Sequence, residues 1–456
     1  MANKIDFAKI KLSPPRIIVL SFTAIITLGT LLLLLPWSTV NHNIKGVDAI
    51  FTATSATCVT GLIVLDTGKD FTLLGQLIIL FLIQLGGLGI MTFSTFFNIL
   101  LKKRVSFRDK MMLEGIFAPE PWENFWTLLK MILLFTLGTE FIGALFLFSS
   151  FYPKLGLIKG IYASIFHSIS AFCNAGFSIF NTSMANYSND VVINTVMPIL
   201  IVLGGMGFVI VGEIFTYFNK AKNKESFRFS LHTKITIIVM ISLILLGAIV
   251  FWLLERNHSL RYMEMRRSLF ITIFQAITPR TAGFNTIDMR LLSGPCLFFL
   301  MILMFIGASP GSTGGGIKTT TLGVLVSLLV SKIRSQKSIN VLGRTLGKDI
   351  VDRAVAIVII SIFLIVLFTL SLLIVENNNN SHNSFTLEKV LFEAFSAYGT
   401  VGLSLGITSL LSSLGKGCII ALMFIGRLGP LTLFIAMGWG EPKTFYSYPQ
   451  ENVMLG

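Results

Sequence analysis

Charged side chains are scarce in this chain. Only 13% of its 456 residues are Asp, Glu, Lys or Arg, while 54% are hydrophobic and the mean hydropathy is +0.80. A soluble domain carries about 25% charged residues, so this composition excludes an ordinary water-soluble fold and leaves an integral membrane protein. Histidine is rare, with five copies, and cysteine rarer, with four. Cys58, Cys173, Cys296 and Cys418 each sit in an apolar stretch, which reads as four reduced thiols. No Cys/His cluster offers a metal site. No Gly-x-Gly-x-x-Gly follows a strand pattern, so a Rossmann-type nucleotide site is not expected in this chain. A signal peptide is not expected either. The first apolar run is too long for a signal-peptide core, and no small-x-small cleavage site follows it.

What is present is apolar sequence in long blocks. Crossing a bilayer takes roughly 20 apolar residues. Eight stretches qualify: Ile17–Pro36, Leu73–Leu101, Phe125–Phe151, Val191–Phe218, Ile235–Leu254, Gly294–Val330, Ala354–Val375 and Gly417–Met437. The sixth is too long for one simple span and has a glycine-rich interruption. The net charge of +14 invites a nucleic-acid partner, but its distribution argues against one. With the N-terminus inside, 22 of the 36 Lys and Arg fall on segments 1–16, 102–130, 219–234, 331–353 and 438–456. This is the positive-inside pattern, and it puts both termini in the cytoplasm of a multi-pass plasma-membrane protein.

Four short motifs end in glycine: Thr57-Cys-Val-Thr-Gly61, Phe172-Cys-Asn-Ala-Gly176, Pro279-Arg-Thr-Ala-Gly283 and Tyr398-Gly-Thr-Val-Gly402. Successive glycines lie 115, 107 and 119 residues apart. Each motif follows a half-helix too short to span: Val47–Ala56, Ile161–Ala171, Ser268–Ile277 and Leu387–Ala397. Irregular backbone at membrane depth is tolerated only when protein buries it or when it lines a wet cavity. The expected fold is therefore an all-α membrane protein. Four tandem helix–pore loop–helix repeats, 1–104, 105–224, 225–340 and 341–456, surround one pseudo-fourfold pore with eight membrane segments. Carbonyls of Cys58, Val59, Thr60 and Gly61, Cys173, Asn174, Ala175 and Gly176, Arg280, Thr281, Ala282 and Gly283, and Gly399, Thr400, Val401 and Gly402 can face one axis and replace the water around a cation. The inner helices repeat as well. Gly86, Gly204, Gly307 and Gly426 lie 25, 28, 24 and 24 residues past their loop glycines. Small-residue helix packing would explain glycines there, but not the matched distance.

These motifs, with Gly311-Ser-Thr-Gly-Gly-Gly-Ile-Lys-Thr319, resemble the Trk/Ktr/HKT superfamily of potassium transporters, and within it the KtrB branch, the membrane subunits of bacterial Ktr systems. The resemblance runs from Ile17 to Gly440. It implies a potassium selectivity filter at the four loops and a bacterial potassium uptake subunit. It also implies a homodimer with one pore per subunit. The dimer would sit on a cytosolic ring of RCK/KTN-type regulatory subunits, and ATP, ADP or a similar nucleotide would bind that ring rather than this chain. In plant relatives a serine in place of the first filter glycine accompanies sodium preference. Gly61 stands at that position here, which favours potassium. Channel-like and sodium-coupled transport both stay open.

Arg427 lies near mid-membrane, matched in position to Gly87, Gly205 and Ala308. An arginine there costs on the order of 3 kcal/mol by insertion scales. Facing the pore, it would be an electrostatic barrier to cations. Gly307, Gly311, Gly314, Gly315 and Gly316 with Ser309 and Pro310 break the third inner helix. They read as a flexible plug at 307–318 that Lys318 ends. A packing kink is the plainer reading. In the family the matching arginine and glycine-rich loop form the gate. Gly311–Thr319 is not a phosphate-binding loop, because Ile317 separates glycine from Lys318. Gly307-Ala-Ser-Pro-Gly311 formally matches a serine-hydrolase elbow, with His167 the one membrane-embedded base. A proton-coupled transporter built on Glu140, Glu213 and Glu393 is the other competing class, though its repeats are usually inverted pairs. Arg280 should turn away from the axis, toward a carbonyl or one of those three carboxylates.

Overall fold

The computed structural model describes residues 14–104, 125–379 and 385–438. Most of segments 1–16, 102–130 and 438–456, expected on the cytoplasmic side, lies outside them. The described chain is almost wholly helical. In chain order the helices are α1 Pro14–Leu33, α2 Gly46–Thr57, α3 Leu73–Arg104, α4 Phe125–Leu155, α5 Leu157–Phe172, α6 Val191–Gly205, α7 Phe208–Lys222, α8 Leu231–Glu255, α9 Met265–Ile277, α10 Gly294–Phe305, α11 Thr319–Ile333, α12 Lys348–Asn379, α13 Leu387–Gly399, α14 Ser413–Leu428 and α15 Pro430–Ala436. One short antiparallel hairpin, β1 Asn340–Val341 with β2 Arg344–Thr345, follows α11.

Helices dominate because hydrocarbon offers no partner for a free backbone N–H or C=O. Four helices are long and apolar enough to cross a membrane; they lie in α1, α4, α8 and α12. Their polar side chains are hidden locally. Thr23, Thr27, Thr30 and Thr369 each donate to the carbonyl four residues earlier, which satisfies the hydroxyl without water. On α4, Leu134, Leu137, Phe141 and Leu145 form an exposed apolar stripe at helical spacing. In water such a stripe would demand a partner; here lipid is the solvent. Glu140 on the same helix is only 5% exposed.

The four expected half-helices are α2, α5, α9 and α13, and each ends at its glycine motif. The inner helices depart from expectation. The break in the third is not unique: α6 and α7 meet at 96° across Met206 and Gly207, and α14 and α15 meet at 94° at Gly429. Gly207 and Gly429 have φ of 85° and 83°, a left-handed turn that glycine makes without steric penalty.

Three contacts tie outer helices to the starts of inner ones. Glu255, at the end of α8, accepts from the backbone and hydroxyl of Ser293, just before α10, at 2.9 and 2.6 Å. Glu376 on α12 does the same for Ser412, before α14, at 2.9 and 2.7 Å. Between α4 and α6 the roles reverse, with Ser150 donating to Asp190 at 2.8 Å. Asp190 and Ser412 also cap their helices, accepting from the Ile193 and Gly415 amides at 3.1 Å each. A part-buried ion pair, Asp48 to Lys416 at 2.6 Å, joins α2 to α14.

Candidate ion pathway

Each glycine motif is held by the same buckle. The backbone N–H of the residue before the glycine reaches back to the carbonyl of a hydroxyl residue: Thr60 to Ser55 at 2.8 Å, Ala175 to Ser170 at 2.8 Å, Ala282 to Thr278 at 2.9 Å and Val401 to Ser396 at 2.8 Å. The hydroxyls close the far side. Ser55, Ser170 and Thr278 donate to the carbonyls of Leu62, Phe177 and Phe284 at 2.7, 2.8 and 2.5 Å. Ser55 and Ser396 also accept from Gly61 and Gly402, each at 3.1 Å. Sequence reading missed these four hydroxyls. Their signal was a fixed offset of six, six, five and six residues before the glycine.

The buckle forces two left-handed residues into every loop. Val59, Asn174, Thr281 and Thr400 have φ of 56°, 60°, 73° and 49°, and the glycines have 88°, 68°, 76° and 91°. A non-glycine residue there costs on the order of 1–3 kcal/mol and persists only where its surroundings over-determine it. Alternating handedness turns successive carbonyls to the same side, as a ring of cation ligands requires.

The four loops meet in cyclic order. A Cβ placed on Gly61 would lie 2.5 Å from the Ala175 carbonyl oxygen, and one on Gly176 would lie 3.0 Å from that of Ala282. A Cβ on Gly283 would strike the Val401 carbonyl, and one on Gly402 the Thr60 carbonyl. First meets second, second meets third, third meets fourth, and fourth meets first. Glycine is required twice over, by backbone angle and by close approach.

The ring opens on one side into a cavity of about 560 Å³, lined by all four glycines and by Asp66, Ser178, Asp288, Arg290, Ser404 and Thr408. Arg290 pairs with Asp288 at 2.6 Å. That hydrogen bond holds the Asp288 carboxyl below its ordinary value.

On the other side the Gly307–Lys318 segment crosses beneath the ring. Ile306 and Ile317 bridge its base, and the Gly307 N–H donates to the Ile317 carbonyl at 2.8 Å. Thr400 Oγ1 accepts from the Gly315 N–H at 3.1 Å. The Ser309 and Thr313 amides donate to Gly205 and Gly204, at 3.1 and 3.3 Å, and the Gly316 amide to Gly426 at 3.3 Å. A Cβ on Gly314 would strike Thr281 Oγ1, and one on Gly315 would strike Thr400 Oγ1. Two cations sit on the crest. Lys318 Nζ donates to the Gly314 carbonyl at 2.7 Å. Arg427 donates to the Thr313 carbonyl and, at 2.7 Å, to that of Gly86 on α3. Arg427 is 3% exposed. The matched inner-helix glycines have a use beyond packing. A side chain on Gly86, Gly204 or Gly426 would strike the carbonyl of Thr57, Phe172 or Tyr398 at the end of a half-helix.

The remaining candidates separate from this axis. Arg280 is buried, 6% exposed, and its Nε has no partner among the described residues. None of the three carboxylates meets it. Glu140 accepts from Gln84 at 3.1 Å, Glu213 from the Ser230 amide at 3.0 Å, and Glu393 from Ser404 at 3.0 Å. All four cysteines are free, and three are buried. Ser309 and His167 do not form a nucleophile–base pair. The Ser309 hydroxyl has no partner among the described residues, and His167 bonds Ala163 and Ser178.

The sequence profile of the TrkH family, described as cation transport protein, matches residues 10–446. The chain is 36% identical to Ktr system potassium uptake protein B of Bacillus subtilis, over 98% of both chains. It is 37% identical to potassium/sodium uptake protein NtpJ of Enterococcus hirae, again over 98% of both. Its fold matches the crystal structure of the potassium transporter TrkH from Vibrio parahaemolyticus with a TM-score of 0.71. That match has 21% identity and covers 94% of this chain and 85% of that one. A multi-pass helical membrane protein with four glycine loops closed into a ring, matched over nearly its whole length by that profile, this chain belongs to the TrkH family of cation transport proteins.

Proposed function

We propose that the chain is the ion-translocating subunit of a potassium uptake system, with the four-loop ring as its selectivity filter. The cyclic fit of each loop glycine against the next loop's carbonyl carries this reading. Carbonyls held by buckles cost no reorganisation when a dehydrated potassium ion arrives, and sodium would need a smaller or differently charged cage. The outer cavity supplies hydrated ions. Residues 1–104, 105–224, 225–340 and 341–456 are the four repeats that build the ring, and both termini face the cytoplasm.

The Gly307–Lys318 segment with Arg427 is the gate. Carbonyls of Thr313 and Gly314 could bind a passing cation, but Arg427 and Lys318 already occupy them. Two fixed positive charges then stand in the path just below the filter, where low dielectric makes them a high barrier. Conduction requires the crest to move aside. Two relatives carry the name Ktr system potassium uptake protein B. On that ground the movement is assigned to a cytosolic ring of RCK/KTN-type regulatory subunits that bind ATP, ADP or a similar nucleotide, acting on a homodimer of this chain. One relative's name includes sodium, so sodium-dependent transport is the second reading for the same pathway.

Expression of the chain with a regulatory partner should lower the external potassium needed by uptake-deficient cells, by about tenfold or more if the filter works as described. No rescue despite confirmed membrane insertion would overturn the assignment.

A further inference from the structure

Behind the rim of the outer cavity the half-helices carry a second repeated position. Nine residues before the loop glycine stand Thr52, His167 and Glu393; in the third loop, whose buckle is one residue shorter, the match is Gln275. All four are buried, from 0 to 4% exposed. Two residues past each glycine stand Ile63, Ser178, Asn285 and Ser404, all lining the cavity.

In the second and fourth loops these positions form the same relay. The Phe180 N–H donates to Ser178 Oγ at 3.0 Å, which lies 3.0 Å from His167 Nε2. The Gly406 N–H donates to Ser404 Oγ at 2.9 Å, which donates to Glu393 at 3.0 Å. His167 Nδ1 lies 2.8 Å from the Ala163 carbonyl. A carbonyl can only accept, so Nδ1 carries the proton and Nε2 accepts from Ser178. The ring stacks on Phe180 at 4.7 Å and packs against Phe151, which fixes its plane. Glu393 has a second donor in Thr408.

The first and third loops lack the relay. Thr52 turns back to Asp48, and Ile63 has no hydroxyl. Among the described residues both amide atoms of Gln275 are without partners, while Asn285 donates to Ile287 at 3.0 Å. In the cyclic order second and fourth loops are opposite each other, so a fourfold ring carries a twofold pair of supports.

We propose that His167 and Glu393 are positioning residues for ion selection. Each is a buried acceptor that holds a rim serine, and with it the chain just outside the loop glycine, from opposite sides of the pore. The inference rests on the filter reading above. The chemistry needed is an acceptor facing the serine, not a charge.

The test is ion flux in proteoliposomes, normalised to folded protein, with the potassium-to-sodium ratio as the readout. Glu393→Ala, Ser404→Ala and Ser178→Ala should each lower the ratio about tenfold, the worth of a buried hydrogen bond to an ionised or aligned acceptor. Glu393→Gln and His167→Gln keep an acceptor and should stay within about twofold of the parent. Glu393→Ala combined with Ser404→Ala should cost less than the sum of the two, because both remove the Ser404–Glu393 bond. Thr52→Val, at the matched position without a relay, should leave the ratio unchanged. The serine variants remove one oxygen beside a cavity and keep the test informative should Glu393→Ala fail to fold. An unchanged ratio in the serine variants, or equal loss in Glu393→Gln and Glu393→Ala, overturns the proposal. Failure of the parent to prefer potassium overturns the filter reading instead.

Discussion

Deleting Ser312–Gly315 from the crest of the intramembrane loop is expected to raise ion flux by about tenfold or more in the absence of a regulatory partner. The crest is the part that crosses beneath the ring. It is pinned by amide bonds to Gly204 and Gly426 and by Thr400. Removing it removes the obstacle and the carbonyls on which Arg427 and Lys318 rest. Arg427→Ala should act in the same direction. As an order of magnitude, a unit charge roughly 8 Å from a passing ion, at an effective dielectric of about 20, adds roughly 2 kcal/mol to the barrier, or about thirtyfold in rate. Arg427 carries a charge and forks to two carbonyls, and two substitutions separate these properties. Arg427→Lys keeps the charge but cannot fork to Thr313 and Gly86 together. Arg427→Gln keeps a donor and loses the charge. If Gln raises flux and Lys does not, the barrier is electrostatic. If both raise it, the tether dominates. Patch-clamp or liposome flux on equal amounts of protein reads the difference, and selectivity should survive because the ring is untouched. A crest-deleted protein that inserts, folds and conducts no faster than the parent would show that the glycines only kink the helix.

Serine in place of a loop glycine should have the opposite signature, lost selectivity with the gate intact. The four sites are not equal. Gly402 and Gly283 press hardest on the neighbouring carbonyl, Gly61 lies at 2.5 Å, and Gly176 has 3.0 Å and the smallest positive φ, 68°. Gly402→Ser should therefore cost the most, on the order of a hundredfold in the potassium-to-sodium ratio. About 1–3 kcal/mol of backbone strain adds to the displacement of a ligand. Gly283→Ser and then Gly61→Ser should follow, and Gly176→Ser should be the mildest. Flux ratios for the four variants, measured side by side, test the ranking. Equal losses at all four would mean that the cyclic contacts do not set the geometry.

The features that repeat were legible because repetition is visible in one dimension. Four glycines at similar intervals, four short apolar segments and four matched inner glycines predict four loops around one axis. Arg427 was legible for another reason: a lone cation in an apolar run has few places to go. What sequence did not disclose was everything set by three-dimensional partnership. Serine and threonine are common in membrane helices, so nothing but an offset of five or six residues from the loop glycine sets Ser55, Ser170, Thr278 and Ser396 apart. The breaks at Gly207 and Gly429 were hidden inside continuous apolar runs, since one glycine bends a helix only when neighbours take up the freed backbone groups. Arg280 was expected to find a carbonyl or carboxylate. Instead Glu140, Glu213 and Glu393 bond to Gln84, Ser230 and Ser404, and its Nε stays unmatched. Lys318 was expected to end the loop and does so by folding back onto Gly314.

The central claim is that four buckled loops form one ring that selects potassium. Radioactive rubidium uptake into proteoliposomes holding the crest-deleted chain, with potassium, sodium and lithium as competitors, tests it most directly, because the gate no longer limits the signal. Potassium should suppress rubidium uptake at least about tenfold more effectively than sodium or lithium, and Gly402→Ser in the same background should erase that difference. Equal competition by all three ions in the parent ring, with protein folded and inserted, would contradict the account.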